Sequence, residues 1–321
     1  MYGVGYGFSR PDIGSARVEV AEDGTLTLYS GACEIGQGVA TILCQIAAEE
    51  LGIEYADVRV VLADTGSTPD SGPTTASRAT YVQGNAVRKA ATDVRSQMAE
   101  VASEMLDCSV GQLRFSQGQV YSEADPRLTT SFAQLAAQSH QSGRRCTGYG
   151  WHDITTKDVD PETSQGDAYA VYAWATQLAE VEVDTETGEV RVLRLASATD
   201  AGKAINPQNV EGQIEGGAVM GMGYALLEDH IMGPDGRPRT TRLSQYRVPT
   251  ALDVPDVDSL IVEVPEPSGP FGAKGVAEPA SIPTAPAILN AIYDAIGVRV
   301  TSLPVSPEAV LCLLKEKAVR K

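Results

Sequence analysis

The stretch Gly269-Pro-Phe-Gly-Ala-Lys-Gly-Val-Ala-Glu278-Pro279 is a glycine-rich loop that ends in one carboxylate, just ahead of an apolar run that predicts a helix. Glycines let backbone N–H groups approach an anion closely. A glutamate held beside such a loop is placed to move a proton at whatever binds there. A surface turn with an acid in the first turn of a helix is the alternative interpretation, because acids are favoured at that position.

Two common glycine motifs do not fit this loop. A phosphate-binding loop requires Ser or Thr after its lysine, whereas Lys274 is followed by Gly275. A dinucleotide fingerprint requires Gly-x-Gly-x-x-Gly between a strand and a helix, and the glycine spacing here is different. Neither of these two motifs therefore explains the loop, and both a proton-transfer site and a surface turn remain open.

The composition limits the class of protein. The chain has 321 residues, enough for roughly two domains, and its 43% hydrophobic content supports a sizeable core. A formal net charge of −17 argues against nucleic acid or an anionic membrane surface as a partner. The sequence has neither an apolar run long enough to span a bilayer nor the basic and apolar regions of a signal peptide. We expect a cytoplasmic protein without a membrane partner.

Cysteine and histidine usage predicts no metal ligand from this chain. The five cysteines are odd in number and form no Cys-x-x-Cys pair, which argues against a disulfide framework, a zinc site or an iron–sulfur cluster. The three histidines, His140, His152 and His230, are scattered, and we expect them to be structural.

Periodicity predicts an α+β fold with mixed sheets and helices, in two elongated subdomains. An Asp-Gly turn predicts a first hairpin, and the polar stretch 148–165 predicts a loop between subdomains 1–155 and 156–321. The predicted strands are 17–20, 25–30, 58–62, 113–115, 119–121, 169–183, 190–196 and 298–302. The predicted helices cover 39–51, 81–105, a small-residue segment after Asn206-Pro207, 282–296 and 307–317.

Four segments combine glycines with amide or hydroxyl side chains at junctions that lead into helices. They are Gly31-Ala-Cys-Glu-Ile-Gly36-Gln37-Gly38, Gly72-Pro-Thr-Thr-Ala-Ser77 with Gly84-Asn85-Ala86-Val87, Gly212-Gln213-Ile-Glu-Gly216-Gly217, and the Glu278 loop. Helix N-termini and free N–H groups suit phosphate, and glutamine amides suit the edges of a heterocycle. Taken alone, each segment is more often ordinary turn chemistry than a binding site.

As an ordered set, the four segments resemble the molybdenum-binding subunit of the xanthine dehydrogenase/aldehyde oxidase family, over essentially the whole chain. The resemblance implies a molybdenum-cofactor-binding fold and a molybdopterin cytosine dinucleotide cofactor carrying Mo. It implies that Gln37, between Gly36 and Gly38, and Gln213 contact the pterin. It implies that Glu278, after Gly275, is the active-site base. The residues implied to line the phosphate and nucleotide end of the cofactor are Thr75, Ala76, Ser77, Gly84 and Asn85.

The chain departs from the family pattern at two points. Ala277 stands where the family usually has glycine, and a β-carbon there is tolerated only if φ is negative. The family's earlier Phe-Gly-Gly-type loop beside the metal is not found in the sequence. This resembles a split enzyme of the nicotinate dehydrogenase type, with separate large and medium molybdopterin subunits; a remnant of a longer chain is the alternative.

The resemblance implies a subunit of a molybdenum hydroxylase. Such an enzyme hydroxylates an electron-poor C–H carbon, here of a nicotinate- or purine-like N-heterocycle, with oxygen derived from water. A large molybdopterin subunit, an iron–sulfur subunit with 2Fe-2S clusters and an FAD subunit are the expected partners. A reductive dehydroxylase of the same family and a non-catalytic assembly subunit remain alternatives.

Overall fold

The computed structural model describes residues 2–5, 12–154, 156 and 159–319, and it has the predicted α+β architecture. The strands are β1 (Tyr2–Val4), β2 (Asp12–Val20), β3 (Leu26–Ser30), β4 (Val58–Leu62), β5 (Leu113–Ser116), β6 (Gln119–Ser122), β7 (Thr129–Ser131), β8 (Thr147–Ile154), β9 (Val171–Ala173), β10 (Ala175–Val183), β11 (Val190–Asp200) and β12 (Asp256–Val262). The α-helices are α1 (Val39–Leu51), α2 (Gly84–Leu106), α3 (Phe132–Gln141), α4 (Pro207–Leu226), α5 (Thr284–Ile296) and α6 (Pro307–Val319).

A four-stranded mixed sheet in the order β4-β3-β2-β8 carries the first hydrophobic core. Alternate residues of β2 are buried, as expected for a strand with one face on a core. Helices α1 and α2 cover that face. The predicted helix 39–51 is confirmed to the residue, and Gly52 ends it in the left-handed conformation. The second predicted helix is also confirmed, with a π-helical turn at Ala79–Gln83 leading into α2.

The prediction of a loop over 148–165 is wrong for its first part. Thr147–Ile154 form β8, which pairs antiparallel with β2. Gly148 and Gly150 face α2, and a β-carbon at either position would overlap a carbonyl oxygen of that helix. Gly148 and Gly150 therefore serve close packing of a helix on a strand.

A second mixed sheet, β10-β11-β12, joins the predicted long hairpin to a parallel strand that the sequence analysis missed. Helices α4 and α5 pack on this sheet around a second hydrophobic cluster. The predicted strand 298–302 is wrong. Val298 and Val300 are buried in the second cluster, but the segment has no paired strand and remains irregular.

Smaller elements complete the described structure. The predicted hairpin near residue 115 is confirmed and extended by β7 into a three-stranded sheet. Helix α3 follows β7, and β1 pairs with β9. In the described part of the chain, no helix combines the length and apolar character needed to cross a membrane. The division into subdomains 1–155 and 156–321 stays a prediction.

Helix α4 links the second sheet to the loops of the first. Asn206 caps its N-terminus by accepting a hydrogen bond from the backbone N–H of Asn209 at 3.0 Å. Gly217 lies so close to Ala280 that a β-carbon at position 217 would be 2.8 Å from the Ala280 Cβ. This contact holds the segment that follows the Glu278 loop against α4.

Candidate active site

An open cleft of about 530 Å³ lies where the loops that lead into helices converge. Segments 35–37, 74–79, 213–220 and 277–281 supply nearly all of its lining. The cleft is lined by six of the residues singled out from the sequence: Gly36, Gln37, Thr75, Ser77, Gln213 and Glu278. Tertiary structure thus brings parts of all four sequence segments to one place.

A smaller cavity of about 90 Å³ adjoins the cleft. The two share Gln37, Ser77, Ala79, Gln213 and Ala277, and the small cavity adds Gly275. The predicted site therefore extends beneath the Glu278 loop as well as in front of it.

Glu278 is fixed at the wall of the cleft by Ser77. It opens a single 3₁₀ turn, Glu278–Ala280, and is half-buried. The Ser77 hydroxyl donates to Glu278 Oε2, and the Glu278 backbone N–H donates to Ser77 Oγ at 3.0 Å. The Glu278 side chain and backbone are thus held by one hydroxyl, and the carboxylate has a defined position.

The glycine-rich loop before Glu278 is anchored by its lysine. Lys274 is buried and forms an ion pair with Asp200 at the end of β11, with Nζ 2.7 Å from Oδ2. Lys274 also donates to the carbonyl of Tyr172 at 3.1 Å. Its charge is therefore matched inside the protein, unlike that of a phosphate-loop lysine. The neighbouring Ala277 has φ −66, so the expectation that its β-carbon is tolerated is confirmed.

The first glycine segment is organised by Glu34, which the sequence analysis did not single out. The Glu34 carboxylate accepts hydrogen bonds from the backbone N–H groups of Gly36, Gly38 and Ala40, at 2.9 to 3.0 Å. Partial burial acts to raise the pKa of Glu34, but these hydrogen bonds outweigh it and the pKa is lowered. The N–H groups expected to be free for phosphate are thus already used. The sequence signal that could have identified Glu34 is its position just ahead of a helix start, where an acid is favoured.

The two glutamines of the cleft differ in how much hydrogen-bonding capacity they retain. Gln37 Nε2 donates to the carbonyl of Cys33 at 2.9 Å, and its Oε1 accepts from the N–H of Ile35 at 2.7 Å. Within the described residues, the Gln213 carboxamide has no hydrogen-bond partner. Gln213 therefore offers its full set of donors and acceptors to a ligand.

Arg78, also missed from the sequence, shapes the loop that carries Thr75 and Ser77. Its side chain is completely buried, pairs with Asp12 and donates to the carbonyls of Ser71 and Pro73 at 2.9 and 2.8 Å. No local pattern distinguishes this arginine from an exposed one.

The remaining predicted residues lie outside the cleft lining. Asn85 Nδ2 donates to the carbonyls of Tyr81 and Ser268, both at 2.9 Å, and a β-carbon at Gly84 would be 2.8 Å from Ile46 Cδ1. Gly38 caps α1 with φ +84, and the carbonyl of Ala76 accepts from Gly5 at 2.9 Å. These four residues support the cleft from behind, and a direct contact with a cofactor stays a prediction for them.

Among the described residues, no group of three or more His, Cys, Asp and Glu side chains is arranged to hold a metal ion. A metal at this cleft would therefore need ligands from a cofactor or from other polypeptide.

Comparisons with known proteins point to one family. The profile of the molybdopterin cofactor-binding domain matches residues 1–255. The gamma subunit of the 6-hydroxypseudooxynicotine dehydrogenase complex of Paenarthrobacter nicotinovorans is 36% identical over 301 residues, covering 91% of this chain and 36% of that protein. The putative molybdenum-binding subunit of xanthine dehydrogenase from Escherichia coli (strain K12) is 34% identical over 300 residues, covering 92% of this chain and 39% of that protein.

A solved structure shows the same fold. Quinoline 2-oxidoreductase from Pseudomonas putida 86 matches with a TM-score of 0.85 at 29% identity, covering 95% of this chain and 38% of that chain. The chain therefore belongs to the molybdopterin cofactor-binding domain family, among the molybdenum-binding subunits of xanthine dehydrogenase-type enzymes. It spans between 36% and 39% of the length of these relatives.

Proposed function

We propose that this chain forms part of the molybdenum site of a hydroxylase and supplies its general base, Glu278. The substrate is an N-heterocycle of the nicotinate or purine kind, hydroxylated at an electron-poor C–H carbon with oxygen derived from water. The observation that carries the proposal is the Glu278 carboxylate, held by Ser77 at the wall of a cleft that also contains Gln213.

The residues of the cleft fit a molybdopterin group. The Gln213 carboxamide is unpartnered within the described residues, so it can pair with the polar edge of a pterin. Gly36 and Gly216 line the cleft, and a β-carbon at either would meet nothing within 4 Å, which leaves space for a flat ring system. Gln37 retains one N–H and one lone pair for the same purpose. When bound, the cofactor supplies two-electron redox chemistry at molybdenum.

The cytosine dinucleotide form of the cofactor is part of the proposal. Its phosphates would be held by hydroxyl and backbone groups, because the cations near the cleft already have partners. Lys274 pairs with Asp200, and Lys203 pairs with Glu263 at 2.7 Å. Thr75 offers a hydroxyl at the cleft wall. Neutral donors of this kind hold phosphate without a free cation.

Glu278 would act through one carboxylate oxygen. Ser77 engages Oε2, whereas Oε1 has no hydrogen-bond partner among the described residues. Oε1 is therefore the atom that would accept the proton of the attacking, water-derived oxygen. Exposed apolar side chains at the rim, Ile35 and Met220, would exclude bulk water once the cleft is covered.

Further polypeptide would cover this rim. Ile35 is 80% exposed, and Met220 and Tyr224 on α4 are 66% and 62% exposed. Large apolar side chains clustered around a cleft indicate an interaction surface. The proposed partners are a large molybdopterin subunit, an iron–sulfur subunit with 2Fe-2S clusters and an FAD subunit. One relative is itself named as a subunit of a dehydrogenase complex.

Two other functions are less well supported. A non-catalytic assembly subunit would have no need of a glutamate whose carboxylate and backbone N–H are both held by one serine hydroxyl in a cleft. A reductive dehydroxylase would use the same residues in the opposite direction, and a substrate assay with purified enzyme separates it. We place the protein in the cytoplasm, in keeping with its odd number of cysteines, all of which are free thiols.

The test uses the natively purified assembly, with molybdenum and pterin measured per chain. Glu278→Gln keeps the side-chain shape, so molybdenum content should be unchanged. Reduction of the metal by a heterocyclic substrate should slow by at least ~10²-fold, the lower end for loss of a positioned base. Glu215→Gln, the same chemical change at an exposed position on α4, is the matched control. A Glu278→Gln rate within a few-fold of wild type would remove Glu278 as the base.

A further inference from the structure

We infer that Ser77 is a positioning residue for Glu278 and not a contact for the phosphate and nucleotide end of the cofactor. The inference rests on the proposed role of Glu278 and reassigns Ser77 from the role that the family resemblance implies. It concerns how the base is kept in place, which the local sequence around Glu278 does not reveal.

The first argument is the hydrogen-bonding capacity of the Ser77 hydroxyl. A serine hydroxyl has one proton to donate and two lone pairs to accept with. The proton goes to Glu278 Oε2, and one lone pair accepts the Glu278 backbone N–H at 3.0 Å. The hydroxyl then has no proton left to donate to a phosphate.

The Tyr2 phenol is a further neighbour of Glu278 and Ser77. Burial, followed by the negative charge of Glu278, raises the pKa of Tyr2 to about 12. The phenol therefore remains protonated at neutral pH and keeps its hydrogen. Strand β1, which carries Tyr2, is fixed by its pairing with β9.

The second argument is backbone conformation. Ala76 and Ser77 have φ values of +54 and +51, a region that residues other than glycine rarely adopt. Such conformations persist where the surroundings enforce them. Here buried Arg78 holds the preceding carbonyls, and Gly275 packs directly against the Ser77 carbonyl. The strained backbone directs the Ser77 side chain to Glu278.

The functional consequence concerns orientation. One hydrogen bond holds Oε2 of the carboxylate and the other holds the Glu278 backbone N–H, so the Ser77 hydroxyl restricts where the carboxylate can lie. A misplacement of about 1 Å can cost roughly 10²-fold in rate. Loss of the Ser77 hydroxyl should therefore lower turnover without removing the base itself.

The experiment compares Ser77→Ala, Glu278→Gln and the double variant in the holoenzyme. We expect Ser77→Ala to lower kcat roughly 10-fold with KM little changed, and to leave molybdenum per chain at the wild-type value. The double variant should be no slower than Glu278→Gln alone, because effects of residues that act as a unit are not additive. Ser77→Gly removes the same hydroxyl and tolerates the positive φ without strain, so its kcat should equal that of Ser77→Ala. It replaces Ser77→Ala in the experiment if the alanine variant folds poorly.

Ser71→Ala is the control for loss of a buried serine hydroxyl from the same loop. Ser71 donates to the carbonyl of Ser15 at 2.6 Å and lies outside the cleft lining. The activity of the Ser71→Ala enzyme should therefore stay within twofold of wild type. A fall in molybdenum content for Ser77→Ala and Ser77→Gly would show that Ser77 contacts the cofactor. Additive losses in the double variant would show that it acts independently of Glu278. Either result overturns the inference.

The same set of variants distinguishes a failure of this inference from a failure of the proposed function. If Glu278→Gln is slow and Ser77→Ala is as fast as wild type, only the positioning role is wrong. If Glu278→Gln itself turns over at the wild-type rate, the proposed base is wrong and the positioning role is lost with it.

Discussion

Gly275 packs so closely against Ser77 that a β-carbon at position 275 would overlap the Ser77 carbonyl oxygen. The contact joins the glycine-rich loop to the loop whose hydroxyl holds Glu278, although the two are far apart in the sequence. The φ angle of Gly275 is not positive, so its backbone conformation does not require glycine. Glycine is required there because a side chain has no space.

Gly275→Ala should destabilise the fold and slow turnover. Forcing a methyl group into a closed contact costs about 1–3 kcal/mol in unfolding free energy, measured by urea denaturation. Gly212→Ala is the control, because a β-carbon there meets nothing within 4 Å and the residue lies inside α4. The free energy of unfolding of the Gly212→Ala variant should rise by about 0.4–1 kcal/mol. Equal stability of the two variants would show that the Gly275 contact relaxes without cost.

Gln213→Ala should lower cofactor content more than turnover per bound cofactor. Its carboxamide has no hydrogen-bond partner among the described residues, and leaving a pterin edge unmatched costs about 1–3 kcal/mol of binding. The readouts are molybdenum per chain and activity per molybdenum. Gln208→Ala, at an exposed position on the same helix, should change neither. Full molybdenum occupancy with reduced turnover per metal would contradict an anchoring role.

Gly216→Ala and Gly217→Ala should have opposite consequences although the two are neighbours on α4. A methyl group at Gly217 would press on Ala280, in the turn that begins at Glu278, so stability should fall by about 1–3 kcal/mol. A methyl group at Gly216 meets no protein atom within 4 Å and enters the cleft, so stability should be kept while molybdenum content falls. Unchanged molybdenum in Gly216→Ala would place the cofactor away from this wall.

Glu34→Gln should cost stability at neutral pH, by about 0.5–2 kcal/mol, the range for losing a helix-start acceptor. The pKa of Glu34 is lowered in the fold from its ordinary 4.5, so its contribution is present above about pH 4.5 and is lost as pH falls through the lower, folded value. Urea unfolding at pH 7 and under acid conditions should show the wild-type advantage only at pH 7. Glu54→Gln, which lacks a capping bond, should show no such advantage.

Local patterns were sufficient where short-range interactions decide the structure. The apolar spacing and the terminal glycine of α1 gave its bounds, and an Asp-Gly turn gave the first hairpin. The polar composition was misleading in β8, because the strand is fixed by its packing on α2 through Gly148 and Gly150, and that contact is between distant parts of the chain. Segment 298–302 had the composition of a strand, but strand formation needs a partner that the fold does not provide.

The candidate site was also predictable in part from the sequence and in part only from the tertiary structure. The sequence by itself determined which residue types were available and in what order: a carboxylate after a glycine loop, two glutamines, and a hydroxyl-rich loop. Only the tertiary structure decided which of them meet, because hydrogen bonds such as Ser77 to Glu278 join residues from separate loops. It also decided which polar groups are already satisfied, since Glu34 uses the N–H groups of its own loop while Gln213 remains open to a ligand.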